Sequence, residues 1–269
     1  MERVRMTSGK EYIEAGAGPA IVMLPGMEGS KWFWRYQVEA FSERYRAVSL
    51  DLAVRKPALS TKIGDYAREV LRLMDSLDVE SAIIFGESMG GMVTQYLSLE
   101  HPERVRAIVL CNTMDNPRRW GFGPNMFTLA TMVHQLAFLP ALTDDQRRRL
   151  LMWVGRHRGF VMDPSPGNAD LTEYLMEHGL ECGGAAYVDR VIAGGSAWFT
   201  GRLHEIAVPA LVMRGTEDML VKPEAALELA GRIPGAEVVL IDGGGHCCPH
   251  TVPGLTTRAI EEWLRRKGL

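Results

Sequence analysis

Six short apolar runs, set apart along the chain, constrain its fold more than any other feature of the sequence. The runs are rich in Val and Ile and end in turn residues, which is typical of strands buried on both faces of a parallel sheet. Amphipathic helical patterns follow the first three of them. The runs cover residues 19–25, 46–52, 81–86, 106–111, 209–215 and 236–242.

This alternation of strand and helix predicts the α/β class, with a mostly parallel, twisted sheet and helices on both faces. Residues 2–16, "ERVRMTSGKEYIEAG", instead have the pattern of an antiparallel hairpin, which we expect at one edge of the sheet. A chain of 269 residues is long enough to fill one such core and to carry an insertion.

The alternation stops after the fourth run, where the sequence continues as helical segments with Gly and Pro breaks. Thr143 and Gln146 have the spacing of a helix-capping box. An unstructured loop of this length is uncommon inside a domain. We therefore expect residues 114–204 to form a helical cap, or lid, on a core made of residues 1–113 and 205–269.

Charge and composition exclude several classes of partner. The formal net charge of −3 is spread over both signs, so the sequence indicates no basic face for nucleic acid. No apolar run reaches the roughly eighteen residues of a membrane span. The first residues are charged and lack the apolar segment of a signal peptide, so we expect a cytoplasmic protein. Nothing in the sequence indicates an oligomeric state.

Histidine and cysteine lie close together in residues 245–250, "GHCCPH", which raises the question of a metal site. The spacing matches no familiar zinc pattern, and the second half of such a site is missing. A disulfide between the adjacent Cys247 and Cys248 would be strained. We expect no metal here.

A serine boxed between glycines follows the third apolar run, in residues 86–91, "GESMGG". A tight turn from strand to helix needs residues without a Cβ where the two elements crowd together, and Gly86 and Gly90 meet that need. Such a turn lifts the oxygen of Ser88 into the open, at the sheet edge where ligands of parallel sheets bind. The pattern favours a nucleophile.

A serine nucleophile needs a base and an orienting acid, and two later strands end in suitable residues. Asp218 follows the run 209–215, and His246 lies in a glycine-rich loop after the last run. Both would project from the same sheet edge as Ser88. Glu217 and Asp115, which also follow strands, are rival acids.

The turns "GESMGG", "GTEDMLV" and "GGGH" occur in this order, each after a predicted strand, and together they resemble the α/β-hydrolase fold family. The resemblance covers nearly the whole chain and is closest to serine esterases with a helical cap. It implies Ser88 as nucleophile, His246 as general base and Asp218 as the carboxylate that orients it. Some members carry the acid at the position of Asp115. Hydrolysis of this kind needs no cofactor.

The same resemblance implies an oxyanion hole formed by the backbone N–H groups of Met27 and Met89. The chain departs from the family pattern at Pro25-Gly26, where His-Gly is usual, so this loop must be supported differently. It departs again after Asp51, where "LDLAVRKPALS" lacks the usual glycines. Glu28 either faces water, as exposed Glu normally does, or contacts a polar substrate group; we favour water.

A serine nucleophile argues against haloalkane dehalogenases and epoxide hydrolases, which resemble this family but use aspartate. We expect a small-molecule carboxylic ester with an apolar acyl group, cleaved through an acyl-enzyme. A C–C bond hydrolase, an acyltransferase and a non-catalytic receptor stay open. Trp32 and Trp34 are candidates to line the pocket. Apolar candidates in the cap are Met126, Phe127, Met132, Phe138, Met152, Trp153, Phe160, Tyr174, Met176, Trp198 and Phe199.

Overall fold

Eight strands build one sheet in the computed structural model of the chain, which describes residues 3–7, 10–54, 60–120, 142–150, 168–178 and 184–269. The strands are β1 (Arg3–Thr7), β2 (Lys10–Ala15), β3 (Ala20–Leu24), β4 (Arg46–Leu50), β5 (Ala82–Glu87), β6 (Val105–Cys111), β7 (Ala210–Gly215) and β8 (Glu237–Ile241). Their order across the sheet is β1-β2-β4-β3-β5-β6-β7-β8.

The sheet is parallel except at one edge. The β1–β2 hairpin and its junction with β4 are antiparallel, and all other pairs of neighbouring strands are parallel. All six apolar runs have become strands, and the N-terminal hairpin lies at an edge. The predicted α/β fold class and hairpin are therefore confirmed.

Helices connect the strands. They include α1 (Arg35–Phe41), α2 (Ile63–Ser76), α3 (Met89–Glu100), α4 (Asn168–His178), α5 (Gly184–Gly195), α6 (Pro223–Arg232), α7 (Cys248–Thr251) and α8 (Pro253–Lys267). Three short 3₁₀ turns lie at Lys31–Trp34, Pro102–Arg104 and Leu203–Glu205. None of the helices that the structure describes combines the length and the apolar character needed to cross a membrane.

The two faces of the sheet carry separate hydrophobic cores, and β3 shows why its sequence is continuously apolar. Ala20, Val22 and Leu24 enter the core formed with α2, α3 and α6. Ile21 and Met23 enter the core formed with α1 and α8. Because successive strand residues point to opposite faces, a strand covered on both sides has no polar position. This two-sided burial holds the carboxyl ends of the strands as a rigid edge.

Between β6 and β7 the described residues contain only helices and irregular chain, with no strand. We call residues 112–209 the β6–β7 segment. The predicted capping box is confirmed, since the N–H of Thr143 donates to Gln146 Oε1 at 2.8 Å and the N–H of Gln146 to Thr143 Oγ1 at 3.3 Å. The cap boundaries stay a prediction. Seven of the cap candidates, Met126, Phe127, Met132, Phe138, Met152, Trp153 and Phe160, lie outside the described residues.

Candidate active site

Ser88 lies at the turn from β5 into α3, with φ of 49° and ψ of −116°. Residues with a side chain rarely adopt a positive φ, and such strain costs about 1–3 kcal/mol unless the surroundings impose it. Here the N–H of Ser88 donates to the carbonyl of Cys111 at 3.0 Å, and the hydroxyl of Thr113 donates to the carbonyl of Ser88 at 2.6 Å. The neighbouring strand β6 and its following residues therefore hold the turn in place.

Gly86 and Gly90 let strand and helix approach closely around Ser88, as the sequence predicted. A Cβ on Gly86 would overlap the carbonyl oxygen of Gly90, and a Cβ on Gly90 would overlap the carbonyl oxygen of Leu24. The start of α3 thus packs directly on the backbone of β3 and β5. This close approach exists only because both positions lack a side chain.

His246 is oriented by a buried carboxylate. Its Nδ1 lies 3.2 Å and 3.1 Å from the two oxygens of Asp218, which is 5% exposed. Asp218 Oδ1 also accepts hydrogen bonds from the N–H groups of Leu220 at 2.8 Å and Val221 at 3.0 Å. Arg214 fixes the turn by donating to the carbonyl of Asp218 at 2.7 Å. A carboxylate on Nδ1 leaves Nε2 as the nitrogen that can accept a proton.

The rival acids lie elsewhere. Glu217 is exposed. The carboxylate of Asp115 accepts hydrogen bonds from the hydroxyl of Thr200 and, at 3.4 Å, from the indole N–H of Trp120. Of these three candidate acids, Asp218 is the one whose carboxylate meets Nδ1 of His246.

Two glutamates contact this site, and sequence reasoning gave a role there to only one of them. Glu87, the residue before Ser88, is 1% exposed, and its Oε1 lies 3.3 Å from His246 Nε2. A Cβ on Gly26 would overlap Glu87 Oε2 and would lie 3.2 Å from both Glu28 Oε2 and the Cβ of Ser88. Both carboxyl groups therefore lie against the loop that follows β3. The signal for Glu87 was its place beside the nucleophile.

Burial changes the ionisation of both glutamates. It raises the pKa of the Glu87 carboxyl well above its ordinary value, and the negative charges of Glu28 and Asp218 raise it further. Burial also raises the pKa of Glu28, against its own backbone N–H and the positive charges of Arg190 and His246. Glu28 Oε1 is buried and accepts no hydrogen bond from the described residues. The expectation that Glu28 faces water is wrong for this oxygen.

Met27 and Met89 come together under one helix. Met89 is the first residue of α3 and is fully buried, while Met27 lies in the loop after β3. A Cβ on Gly194 would lie 3.3 Å from Met27 Cε and 3.7 Å from Met89 Cγ. Helix α5 of the β6–β7 segment therefore covers both side chains. Their N–H groups as an oxyanion hole stay a prediction.

The two tryptophans after this loop have different surroundings. Trp34 is fully buried, and its indole N–H donates to the carbonyl of Leu24 at 3.0 Å, so it is a core residue and not part of a pocket. Trp32 is partly buried, and its ring stacks on His178 with 5.5 Å between centroids. A role for Trp32 in substrate binding stays a prediction.

Among the described cap candidates, Tyr174 and Phe199 belong to the two hydrophobic cores, whereas Trp198 is 76% exposed. Burial explains the first two as packing residues. Met176 is partly buried against the same core as Tyr174.

Asn112 is a positioning residue that the sequence analysis did not find. It has a φ of 47°, and its side-chain N–H₂ donates to the carbonyl of Gly245 at 3.1 Å and of His246 at 2.5 Å. Its Oδ1 accepts from the N–H of Gly215 at 2.9 Å. One buried amide thus joins the end of β6 to the end of β7 and to the histidine loop. The only local signal was a polar residue directly after an apolar strand.

The members of "GHCCPH" face different partners. Cys248 Sγ lies 3.8 Å from Cys111 Sγ and 3.3 Å from Asn112 Nδ2. His250 Nε2 lies 2.9 Å from Asp170 Oδ2. Among the residues that the structure describes, no group of three or more His, Cys, Asp or Glu side chains is placed to hold a metal ion.

The comparison with known families follows the geometry. A family profile described as the alpha/beta hydrolase fold matches residues 19–251. The chain belongs to the α/β-hydrolase fold family. The match includes Ser88, Asp218 and His246 in the order noted above.

Curated relatives in this family share hydrolysis in their names and differ in substrate. "Putative carbamate hydrolase RutD" of Azorhizobium caulinodans is 27% identical, over 88% of this chain and 88% of that protein. "Bifunctional epoxide hydrolase 2" of Sus scrofa is 23% identical, over 94% of this chain and 52% of that protein. The chain is thus an α/β hydrolase.

A solved structure, the enol-lactonase from Burkholderia xenovorans LB400, superimposes with a TM-score of 0.76 and 24% identity, over 98% of this chain and 100% of that one. A thermophilic esterase from Thermogutta terrifontis gives a TM-score of 0.76 at 21% identity, over 99% and 98%. Both likenesses show the fold.

Proposed function

We propose that this chain is a serine hydrolase that cleaves carboxylic esters through an acyl-enzyme on Ser88. The observation that carries the proposal is the pair His246–Asp218, with Nδ1 of the ring on a buried carboxylate, at the sheet edge that also holds the strained Ser88 turn. Ser88, Asp218 and His246 follow β5, β7 and β8, so one rigid edge presents all three.

In this mechanism Ser88 Oγ attacks the ester carbonyl while His246 Nε2 takes its proton. The backbone N–H groups of Met27 and Met89 bind the oxygen that becomes negative, and the positive end of the α3 dipole favours that charge. His246 then gives its proton to the leaving alcohol. Water, activated by His246, releases the acid and restores Ser88. Asp218 stabilises the charged imidazole in both halves of the reaction.

We also propose that the β6–β7 segment serves as a cap over an apolar acyl group. Support comes from α5, which packs at Gly194 on the side chains of Met27 and Met89 beside the nucleophile turn. The side chains of Met27 and Met89, covered by helix α5, make the surroundings of Ser88 apolar, which favours small to medium apolar esters. Glu28 and Trp32 remain our candidates for contacts to the rest of the substrate.

A carbamate is the second candidate substrate, because of one observation in addition to the relatives' names. Glu28 Oε1 is buried and accepts no hydrogen bond from the described residues, and the buried Glu87 Oε1 lies 3.3 Å from His246 Nε2 without accepting one. A carbamate carries an N–H group that an ester lacks, and a buried acceptor beside the reacting carbonyl would bind it. A site with unpaired acceptors discriminates strongly between two such substrates.

The test joins covalent labelling to turnover. The protein is treated with a fluorophosphonate probe, the adduct is located by mass spectrometry, and p-nitrophenyl esters from acetate to decanoate are compared with p-nitrophenyl N-methylcarbamate. We expect labelling at Ser88 together with ester turnover, both lost in Ser88→Ala. Ser98→Ala, which removes a buried hydroxyl of the same helix outside the site, should keep both.

The other outcomes each name a different function. Labelling without ester or carbamate turnover would point to C–C hydrolysis, acyl transfer or a receptor, and no labelling would overturn the proposal.

The choice of acid is tested with Asp218→Asn, for which we expect a loss of about 10³- to 10⁴-fold in kcat because Asn holds the wrong tautomer of His246. Asp115→Asn should stay within about threefold of the parent, since Asp115 contacts Thr200 and Trp120.

A further inference from the structure

Arg190 crosses from helix α5 into the core and is 1% exposed. Its Nε donates to the carbonyl of Met27 at 2.5 Å, its Nη2 to the carbonyl of Glu28 at 3.1 Å and its Nη1 to the carbonyl of Leu52 at 3.1 Å. A buried charge is costly unless hydrogen bonds compensate for lost water. Here the acceptors are backbone carbonyls of the two loops that follow β3 and β4.

The first of these, which we call the β3 loop (residues 25–30), is shaped around the guanidinium. Gly29 has a φ of 76°, and a Cβ there would lie 2.6 Å from Arg190 Cζ. The carbonyl of Gly29 accepts a hydrogen bond from the N–H of Leu52 at 2.7 Å. No residue with a side chain fits at Gly29 without displacing the guanidinium, so loop and arginine form one unit.

The contacts of Arg190 supply the different support that the β3 loop needs at Pro25-Gly26, where the chain departs from the family pattern. The β3 loop lacks the histidine that supports it in the family pattern, yet Met27 must hold its N–H group in a fixed direction to bind an oxyanion. Arg190 holds the carbonyl of Met27 itself and the next carbonyl along the chain, that of Glu28. These carbonyls belong to the peptide units 27–28 and 28–29, so one planar, rigid group fixes the chain directly after Met27, next to the peptide unit that carries the Met27 N–H.

We propose that Arg190 is a positioning residue, which fixes the direction of the Met27 N–H group that binds the oxyanion. Turnover then depends on how helix α5 packs on the core. The inference rests on the proposed function of Ser88 and Met27. Arg190 does not touch the reacting atoms; it acts through the backbone of the β3 loop. Misplacing a donor by about 1 Å costs on the order of 10²-fold in rate.

Asp189, the residue before Arg190, supplies a matched control through its hydrogen bond with Tyr66. The hydroxyl of Tyr66 in α2 donates to Asp189 Oδ2 at 2.6 Å, and both side chains are buried. This bond also joins α5 to the core, and its two side chains belong to α2 and α5, not to the β3 loop. Tyr66→Phe therefore weakens the same junction while leaving the contacts of Arg190 in place.

The kinetic test compares Arg190→Lys, Arg190→Met and Tyr66→Phe with the parent protein. Each is assayed for kcat, KM and inhibition by a phenylboronic acid, whose tetrahedral adduct with serine mimics the oxyanion. For both Arg190 variants we expect kcat to fall about 10- to 100-fold, boronate affinity to fall in proportion, and KM to change less than about threefold. Tyr66→Phe should keep kcat within about threefold.

A rise in KM at unchanged kcat would overturn the proposal, because Arg190 would then only anchor helix α5 and would not orient the Met27 N–H. Equal losses in Tyr66→Phe would overturn it as well. Where Arg190→Met fails to fold, Arg190→Lys carries the test, since it keeps the charge but cannot reach three acceptors as a planar fork.

Hydrogen–deuterium exchange of amides 26–30 separates this inference from the proposed function. We expect faster exchange in the Arg190 variants and parent-like exchange in Tyr66→Phe, whatever reaction the protein catalyses. A parent protein without turnover would end the proposed function, while this exchange would still report on the loop. Unchanged exchange in the Arg190 variants would refute the role of Arg190.

Discussion

Folding takes the carboxyl of Glu87 out of water and places it beside His246 Nε2. Burial raises the pKa of Glu87 well above its ordinary value, and the negative charges of Glu28 and Asp218 add to the rise. In the unfolded chain the carboxyl has its ordinary pKa, so above that pH only the folded protein keeps this proton. The contribution to stability is therefore full below the ordinary pKa and falls by about 1.4 kcal/mol per pH unit as pH rises toward the folded value.

Replacement of Glu87 by Gln should remove this slope, because the amide has nearly the same shape and never ionises. We expect the free energy of unfolding of Glu87→Gln, relative to the parent, to increase between about pH 5 and about pH 8. Urea unfolding at several pH values measures it, with Glu217→Gln as the control at an exposed position. A relative stability that stays constant or declines over this range would contradict the assignment of a neutral Glu87.

At the scale of elements, the turn between β5 and α3 depends on backbone contact and not on side-chain packing. A Cβ at Gly90 overlaps the backbone of β3, whereas at Gly231, inside α6, nothing lies within 4 Å of the Cβ position. We expect Gly90→Ala to destabilise the fold by about 2–3 kcal/mol and to reduce kcat, since α3 and Ser88 must shift. Gly231→Ala should stabilise it by about 0.5–1 kcal/mol, as alanine does in a helix.

Thermal unfolding and ester turnover of the two alanine variants check this pair. The comparison holds the chemical change constant and varies only the space around the new methyl group. Equal stability of Gly90→Ala and the parent would show that the helix start can move away from β3 without cost.

The strands and the order of the site residues were predictable because their signals are local. An apolar run with no polar position, as at Ile83 to Phe85, indicates burial on both faces, and glycines on either side of Ser88 indicate a crowded turn. The capping box at Thr143 needed only three residues of context. Each of these features is encoded within one element.

The supporting contacts were not predictable, because they join elements far apart in sequence. Asn112 lies 134 residues from His246, whose carbonyl it binds, and Arg190 lies 163 residues from Met27. Trp34 and Trp32 are two positions apart, yet one is in the core and the other stacks on α4. Only the folded arrangement decides which partner such residues meet.

At the scale of the whole molecule, the β6–β7 segment also meets the core at a buried histidine, away from helix α5 in the sequence. His250 of α7 is 1% exposed, lies among the rings of Phe33 and Tyr174, and has Nε2 at 2.9 Å from Asp170 Oδ2 in α4. Burial and, to a smaller extent, the positive charge of Arg35 lower the pKa of His250 to about 4, although the negative charge of Asp170 opposes them.

Because the unfolded chain binds this proton at about pH 6.5 and the folded chain only near the lower value, acidification favours unfolding. The contribution of His250 to stability is full above its ordinary pKa and is lost as pH falls toward about 4.

We expect His250→Phe, which keeps an aromatic ring among its neighbours, to lose this part of the pH dependence. His204→Phe is the control at an exposed histidine. Urea unfolding between about pH 7 and about pH 4.5 should give a flatter curve for His250→Phe than for the parent. Parallel curves would mean that the joint between α4 and α7 does not respond to protons.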